Sequence, residues 1–230
     1  MRWGTRAVAI AFVVGLVGCT AGRRPPGIAP ASSSAPLDAA AAIARTETAA
    51  VTYRFRVSID AGSGAGDDRV VLHAEGAADH AHGVFLLATD VSAIDPELGG
   101  PLTIITTASE AFVQCSALGR VLHAPTPWIR ARGAAADALR ANEVDPFRLL
   151  DTAARPSAST VGDVAVAIGD DGLVRRATVR FDGAAGSGDA VLVVEFFDIG
   201  VSVDIAPPAP DQVTDETDAL NRLFGGSTGG

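Results

Sequence analysis

Lysine is absent from this 230-residue chain; all 18 basic side chains are arginine. Beside abundant alanine and glycine, that is the mark of a GC-rich genome, a matter of mutation bias and not of chemistry. Acidic residues outnumber basic ones and the formal charge is −9, which argues against nucleic acid as a partner, because phosphate binding calls for basic patches. No Gly-Lys-Ser/Thr follows the glycine-rich Gly62–Asp67 stretch, and a strand pattern follows it where a phosphate loop would open a helix. That stretch reads as a hairpin loop. A Gly-x-Ser-x-Gly elbow is also missing. His80 and His82 would share one side of a strand, but no evident motif adds the third or fourth donor that zinc requires. Solvated turn histidines are the plainer reading, so no metal ligand and no catalytic residue is assigned. Asp67-Asp68 and Asp170-Asp171 sit in turn sequences, where aspartate is favoured for backbone reasons. Uninterrupted apolar runs are short: the longest near the start, Ala7 to Val17, spans 11 residues. That falls inside the ~7–15 of a secretory signal core and below the ~20 of a membrane-crossing helix.

Arg2 and Arg6 precede that run, and Leu16-Val17-Gly18-Cys19 closes it. The four residues resemble a bacterial lipobox, with cleavage before Cys19 and a diacylglycerol on its sulfur. An ordinary secretory signal with an incidental cysteine is the alternative. Residues 1–18 are thus expected to be a signal peptide and 19–36 a lipidated cysteine with a flexible tether rich in Pro, Ser, Ala and Gly. A tether of ~17 residues reaches roughly 20–25 Å. One acyl chain holds only marginally whereas two or three anchor stably, which makes the expected location the outer face of the cytoplasmic membrane without a transmembrane span. Loss of Arg2 and Arg6 with the leader takes the charge to −11. With Cys19 acylated, Cys115 has no partner for a disulfide and reads as a small buried apolar residue.

Residues 37–213 hold one domain's worth of chain, and 48% of the sequence is hydrophobic. Leu37–Ala50 is alanine-rich and free of Gly and Pro, which predicts a helix. In the next stretch Val51, Tyr53, Phe55, Val57 and Ile59 alternate with polar residues, the period of a strand with one apolar face. Further strands are expected near 69–76, 83–91, 102–107, 111–115, 120–123, 164–168, 173–181, 190–197 and 201–205. Gly169-Asp170-Asp171-Gly172 is a hairpin turn signal. In the strand that follows, Val174 breaks an otherwise polar face of Arg176, Thr178 and Arg180. Asp145 and Pro146 are placed to start a helix over 145–153. Trp128 reads as the core anchor of a strand start, with a pocket wall as the alternative. Residues 214–230 form either an acidic tail or a short helix from Asp215 to Phe224. The fold class is α+β, a largely antiparallel sheet with one apolar face that a few helices must cover. Those helices either pack the face completely or leave an apolar cavity.

"FFDIGVSVDIAPPAPDQV", "DDGLVRRATVRF", "PWIR" and "DPFRLL", together with the lipobox, resemble the LppX/LprG-type lipoproteins of mycobacteria and their relatives. The resemblance implies a LolA-like half-barrel, a curved antiparallel sheet with helices on its concave side. It implies an apolar cavity that binds an acylated lipid or lipoglycan, carriage of that lipid across the envelope, no cofactor and no catalysis. It further implies a monomer with a membrane transporter as partner. The chain departs from the family by passing almost directly from the 145–153 helix to the last strands, which implies a smaller or more open cavity. The inward-alternating residues taken as lipid-pocket candidates are Tyr53, Phe55, Val57, Leu86, Val179, Phe181, Val194 and Phe196. An interaction module with a fully packed core and no cargo is the competing expectation.

Overall fold

A computed structural model describes residues 36–62, 69–92, 99–141, 145–147, 149–150, 161–181 and 189–224. The expected signal peptide, Cys19, the tether and most of the Gly62–Asp67 loop lie outside the described residues. The described chain is α+β. Its strands are β1 (Thr52–Gly62), β2 (Arg69–Asp79), β3 (Val84–Asp90), β4 (Pro101–Thr106), β5 (Glu110–Cys115), β6 (Trp128–Arg132), β7 (Val161–Ile168), β8 (Val174–Phe181), β9 (Ala190–Phe197) and β10 (Val213–Asp215). They join in one sheet ordered β10-β6-β5-β4-β3-β2-β1-β9-β8-β7. The helices are α1 (Pro36–Ala49), α2 (Ser116–Leu122), α3 (Gly133–Ala141) and α4 (Thr217–Phe224), with further helical residues at 146–147 and 149–150. By internal packing the described residues fall into two units, 36–75 with 145–202, and 76–141 with 203–224.

In the first unit, β1 lies antiparallel to β9, and β8 lies between β9 and β7. The Gly169–Gly172 turn closes the β7–β8 hairpin as expected. The Gly169 N–H donates to the Leu173 carbonyl at 2.8 Å, and Gly172 takes the positive φ of 76° that a side chain would resist. Helix α1 buries Ala39, Ala42, Ile43 and Thr46, a stripe at helical spacing, and Ala50 just past its end is buried too. Of the expected 145–153 helix only 145–147 and 149–150 are described, and 146–147 and 149–150 are helical. Asp145 caps it as its sequence predicts, its Oδ1 accepting from the Phe147 N–H at 2.8 Å.

Val174 is no exception on a polar face. The β7–β8 register passes from Ala167 opposite Arg176 to Ile168 opposite Val174, leaving Arg175 as an extra residue. Such a bulge turns the strand by one position, so Val174 points inward with Ala177 and Val179, all three fully buried. Its N–H donates to the Thr46 hydroxyl at 2.8 Å, and that hydroxyl donates to the Ala42 carbonyl at 2.7 Å. The first helix is thereby pinned to the bulge.

In the second unit, α2, α3 and α4 cover one face of β5 and β6. Ala111, Val113, Cys115, Ile129 and Ala131 meet Ala117, Leu118, Ala135, Ala136, Leu139 and Leu220 there. Cys115 is free and buried in this core. Two expectations are corrected here. Residues 120–123 are not a strand: α2 runs to Leu122, and His123, at φ 56°, ends it with its N–H on the Arg120 carbonyl and that of Ala124 on the Gly119 carbonyl. A left-handed closing residue is usually glycine, so Val121-Leu122 misled toward strand. Helix α3 was not expected at all; its alanine stripe carries little apolar periodicity. Residues 201–205 join no ladder: Val201 is exposed where the expected strand would turn it inward with Val203 and Ile205, and Pro207 and Pro208 just beyond lack backbone donors. For the C-terminal region the short-helix alternative holds: α4 buries Leu220, and β10 pairs in parallel with β6.

Candidate functional site

The apolar face of β1, β8 and β9 gathers most of the residues singled out from the sequence. Antiparallel partners share a face, and the registers place Phe55 opposite Phe196, and Val57 in a row with Val194 and Ala177. Ile59, Leu192 and Val179 make the next row, and Ala61, Ala190 and Phe181 the last. Strand β7 extends these rows with Val166, Val164 and Val161. Tyr53, Phe55, Val57, Val179, Phe181, Val194 and Phe196 are therefore neighbours on one surface. Leu86 is not among them. It lies on β3 in the other unit, half-buried, on the face opposite the buried Phe85 and Leu87.

One end of this face is filled by the protein itself. Phe147 stacks on Phe196 at a ring separation of 4.7 Å and meets the edge of Tyr53 at 5.2 Å. Tyr53 in turn lies 5.9 Å from Phe55 and 5.8 Å from Phe196. The four aromatic rings are almost wholly buried, as are Pro146 and Leu150 of the same turn. Sequence reasoning saw an apolar side on this turn but did not assign Phe147 to the site, because no periodicity within a strand points to a plug from another element.

Along the strands the burial falls. Val57, Val194, Ala177 and Val166 are buried, and so are Leu192 and Val179, whereas Ile59, Ala61, Val164, Phe181 and Ala190 are half-buried. The change occurs at the same end on all four strands. Packed aromatic side chains thus give way to an apolar surface with spare accessibility.

The reverse face of these strands is charged and solvated. Arg54, Arg56, Arg176 and Arg180 are exposed on it. Arg176 pairs with Glu195 at 3.1 Å, and Arg56 lies 5.3 Å over the Phe197 ring. Arg69 of β2 bonds Asp60 of β1 at 2.7 Å, which raises its already high pKa.

Among the described residues no group of three or more His, Cys, Asp and Glu comes together as a metal site would require. His80 and His82 lie in the turn after β2, not along a strand. His82 bonds Asp79 through Nδ1 at 2.7 Å, and this contact holds the Asp79 carboxyl below its usual pKa. Asp90 is held low in the same way by the Ser92 hydroxyl. Trp128 opens β6 but is only half-buried, opposite Gln114 and Val213, and contrary to expectation does not join the core. Beside it Arg130, Arg132, Glu110 and Asp215 form an ion cluster, with Arg130–Asp215 at 2.9 Å and Arg132–Glu110 at 2.7 Å. The Arg130 Nε is buried without a hydrogen-bond partner. No helix among the described residues is long and apolar enough to cross a membrane.

No protein-family model matches the chain, and no curated protein does. Among solved structures it is similar to an uncharacterized conserved protein from Thermus thermophilus. The identity is 12%, the TM-score 0.36, and the match covers 77% of this chain and 99% of that one.

Proposed function

We propose that this chain is a membrane-anchored envelope lipoprotein, held by acyl groups on Cys19, that binds the acyl part of a lipid or glycolipid. The ligand lies on the apolar face of β1, β8 and β9, with the sheet wound as a LolA-like half-barrel. The observation that carries this reading is the burial gradient: β1 and β7 become half-buried at Ile59 and Val164, and β9 and β8 one row further along, at Ala190 and Phe181 beside Ala61. Each methylene laid against such a surface contributes ~0.8 kcal/mol, so a long acyl chain is held with few directional contacts. The protein works without a cofactor and without catalysis, as a monomer that carries its lipid across the envelope to a membrane transporter.

The candidates then divide by role. Phe181, with Val179 beneath it, lines the ligand. Tyr53, Phe55 and Phe196, sealed by Phe147, form the closed end, and Val57 and Val194 the wall between. Phe181→Arg is expected to lose co-purifying lipid while the protein stays folded, and Arg176→Ala on the reverse face is expected to keep it. An unchanged lipid load in Phe181→Arg would contradict the placement.

The aromatic plug favours a second reading. With Phe147 stacked on Phe196, the same face serves as a finished core, and the protein acts as a tethered interaction module with no cargo. Empty wild-type protein would support that reading.

A further inference from the structure

Between β9 and β10 the chain reads Val203-Asp204-Ile205-Ala206-Pro207-Pro208-Ala209-Pro210-Asp211, and from 202 to 209 it belongs to no helix or strand. Proline fixes its own φ near −65° and drives the residue before it out of the helical region. Ala206, Pro207 and Ala209 each precede a proline, so the sequence alone restricts 206–209 to extended, polyproline-like backbone, and Pro210 opens the 3-10 turn Pro210–Gln212 that follows. Ala209 has φ −60° and ψ 141°, close to the polyproline II values. Burial agrees with that geometry. Val203, Asp204 and Ile205 alternate as buried, exposed and half-buried, after which the period becomes three. Ile205 and Pro208 are half-buried, whereas Ala206, Pro207, Ala209 and Pro210 are exposed. A polyproline II helix has three residues per turn. One edge, Ile205 and Pro208, rests on the protein, and the two others, Ala206 with Ala209 and Pro207 with Pro210, stand in solvent.

A mere connector has no need of a rod with two apolar edges displayed. The geometry points to residues 206–210 as a preformed recognition element for a protein partner. That partner presents a groove lined by aromatic side chains, in which Pro207 and Pro210 sit about 9 Å apart at the polyproline II rise. Asp204 and Asp211 are exposed at the two ends. They call for arginine or lysine on the rim of that groove. The stiffness of the element limits the conformational entropy lost on docking.

The test is site-specific photo-crosslinking from the full-length chain in membranes of producing cells, with the photoreactive residue at Ala209 or, as a control, at Val121, which is 53% exposed on α2. Position 209 is expected to trap one protein, whose crosslinked peptide maps to an aromatic-lined groove, and position 121 is expected not to trap it. Pro207→Gly and Pro210→Gly should each lower the yield roughly two- to fivefold by loosening the rod. Asp204→Arg with Asp211→Arg should lower it too, without touching the prolines. The inference is overturned by adducts to lipid alone, by no adduct, by equal trapping from position 121, or by full yield in the folded glycine and charge-reversed variants.

Discussion

Thr46 is a fully buried hydroxyl with two jobs, accepting from the Val174 N–H and donating to the Ala42 carbonyl. Removing it leaves a bulge amide buried without an acceptor, a loss of about 1–3 kcal/mol. Thr46→Val should therefore destabilise the α1–β8 contact by that amount, while Thr46→Ser should retain most of it. Hydrogen exchange at the Val174 amide is the direct readout: protection falls in the valine variant and survives in the serine variant. Equal protection in both would mean that the hydroxyl does not satisfy that amide. Phe147 is a different case, a large ring packed against those of Tyr53 and Phe196. Phe147→Ala is expected to cost about 3–5 kcal/mol in chemical denaturation. A loss under ~1 kcal/mol would show that the plug is not integral to the core.

At the scale of elements, the C-terminal segment is knit into its unit by several different contacts. Strand β10 adds a short parallel edge to β6, and the Thr126 and Thr214 hydroxyls meet at 2.5 Å. Asn221 of α4 accepts from the Ala135 N–H near the start of α3 at 2.8 Å. Asp215 closes the junction. The Thr217 hydroxyl, followed by the Thr217 N–H and the Arg130 guanidinium, holds its carboxyl below the usual range, against the opposing effect of partial burial. Glu110 and Arg132 complete its charged surroundings. A folded pKa below the unfolded value of ~3.9 stabilises the protein above that pH, and the contribution disappears as pH falls through the folded value. Thermal melting between pH 6 and pH 2 should thus show a shallower acid decline for Asp215→Asn than for the wild type. High salt should narrow the difference, since the pairs are solvent-facing. Parallel pH curves would contradict the assigned role.

The same scale explains what the sequence made legible. Strands with strict alternation, such as Tyr53-Phe55-Val57 and Leu192-Val194-Phe196, could be read because period two survives as a buried face. The direction of Val174 could not, because a bulge is a property of register between two strands. Nor could α3, whose small alanines carry little apolar contrast, or the end of α2, where His123 does what glycine usually does. Of the candidate site, the shared face was legible. Its closure by Phe147 was not, since that contact joins residues far apart in the chain.

For the whole molecule, the proposed acylation of Cys19 and the proposed tether stand beside an observed apolar face on β1, β7, β8 and β9 that is packed at one end and half-buried at the other. The Phe147 plug is the observation on which the tethered module rests, and the gradient on β1, β7, β8 and β9 is the one on which the proposed lipid carrier rests. Native mass spectrometry of the Cys19→Ser chain, released without detergent from a native-like actinobacterial host, tests this most directly. The account predicts a stoichiometric mass excess that organic extraction removes and that fragments as an acylated lipid. A folded protein at its bare polypeptide mass would contradict it, and would leave the packed interaction module as the reading of this fold.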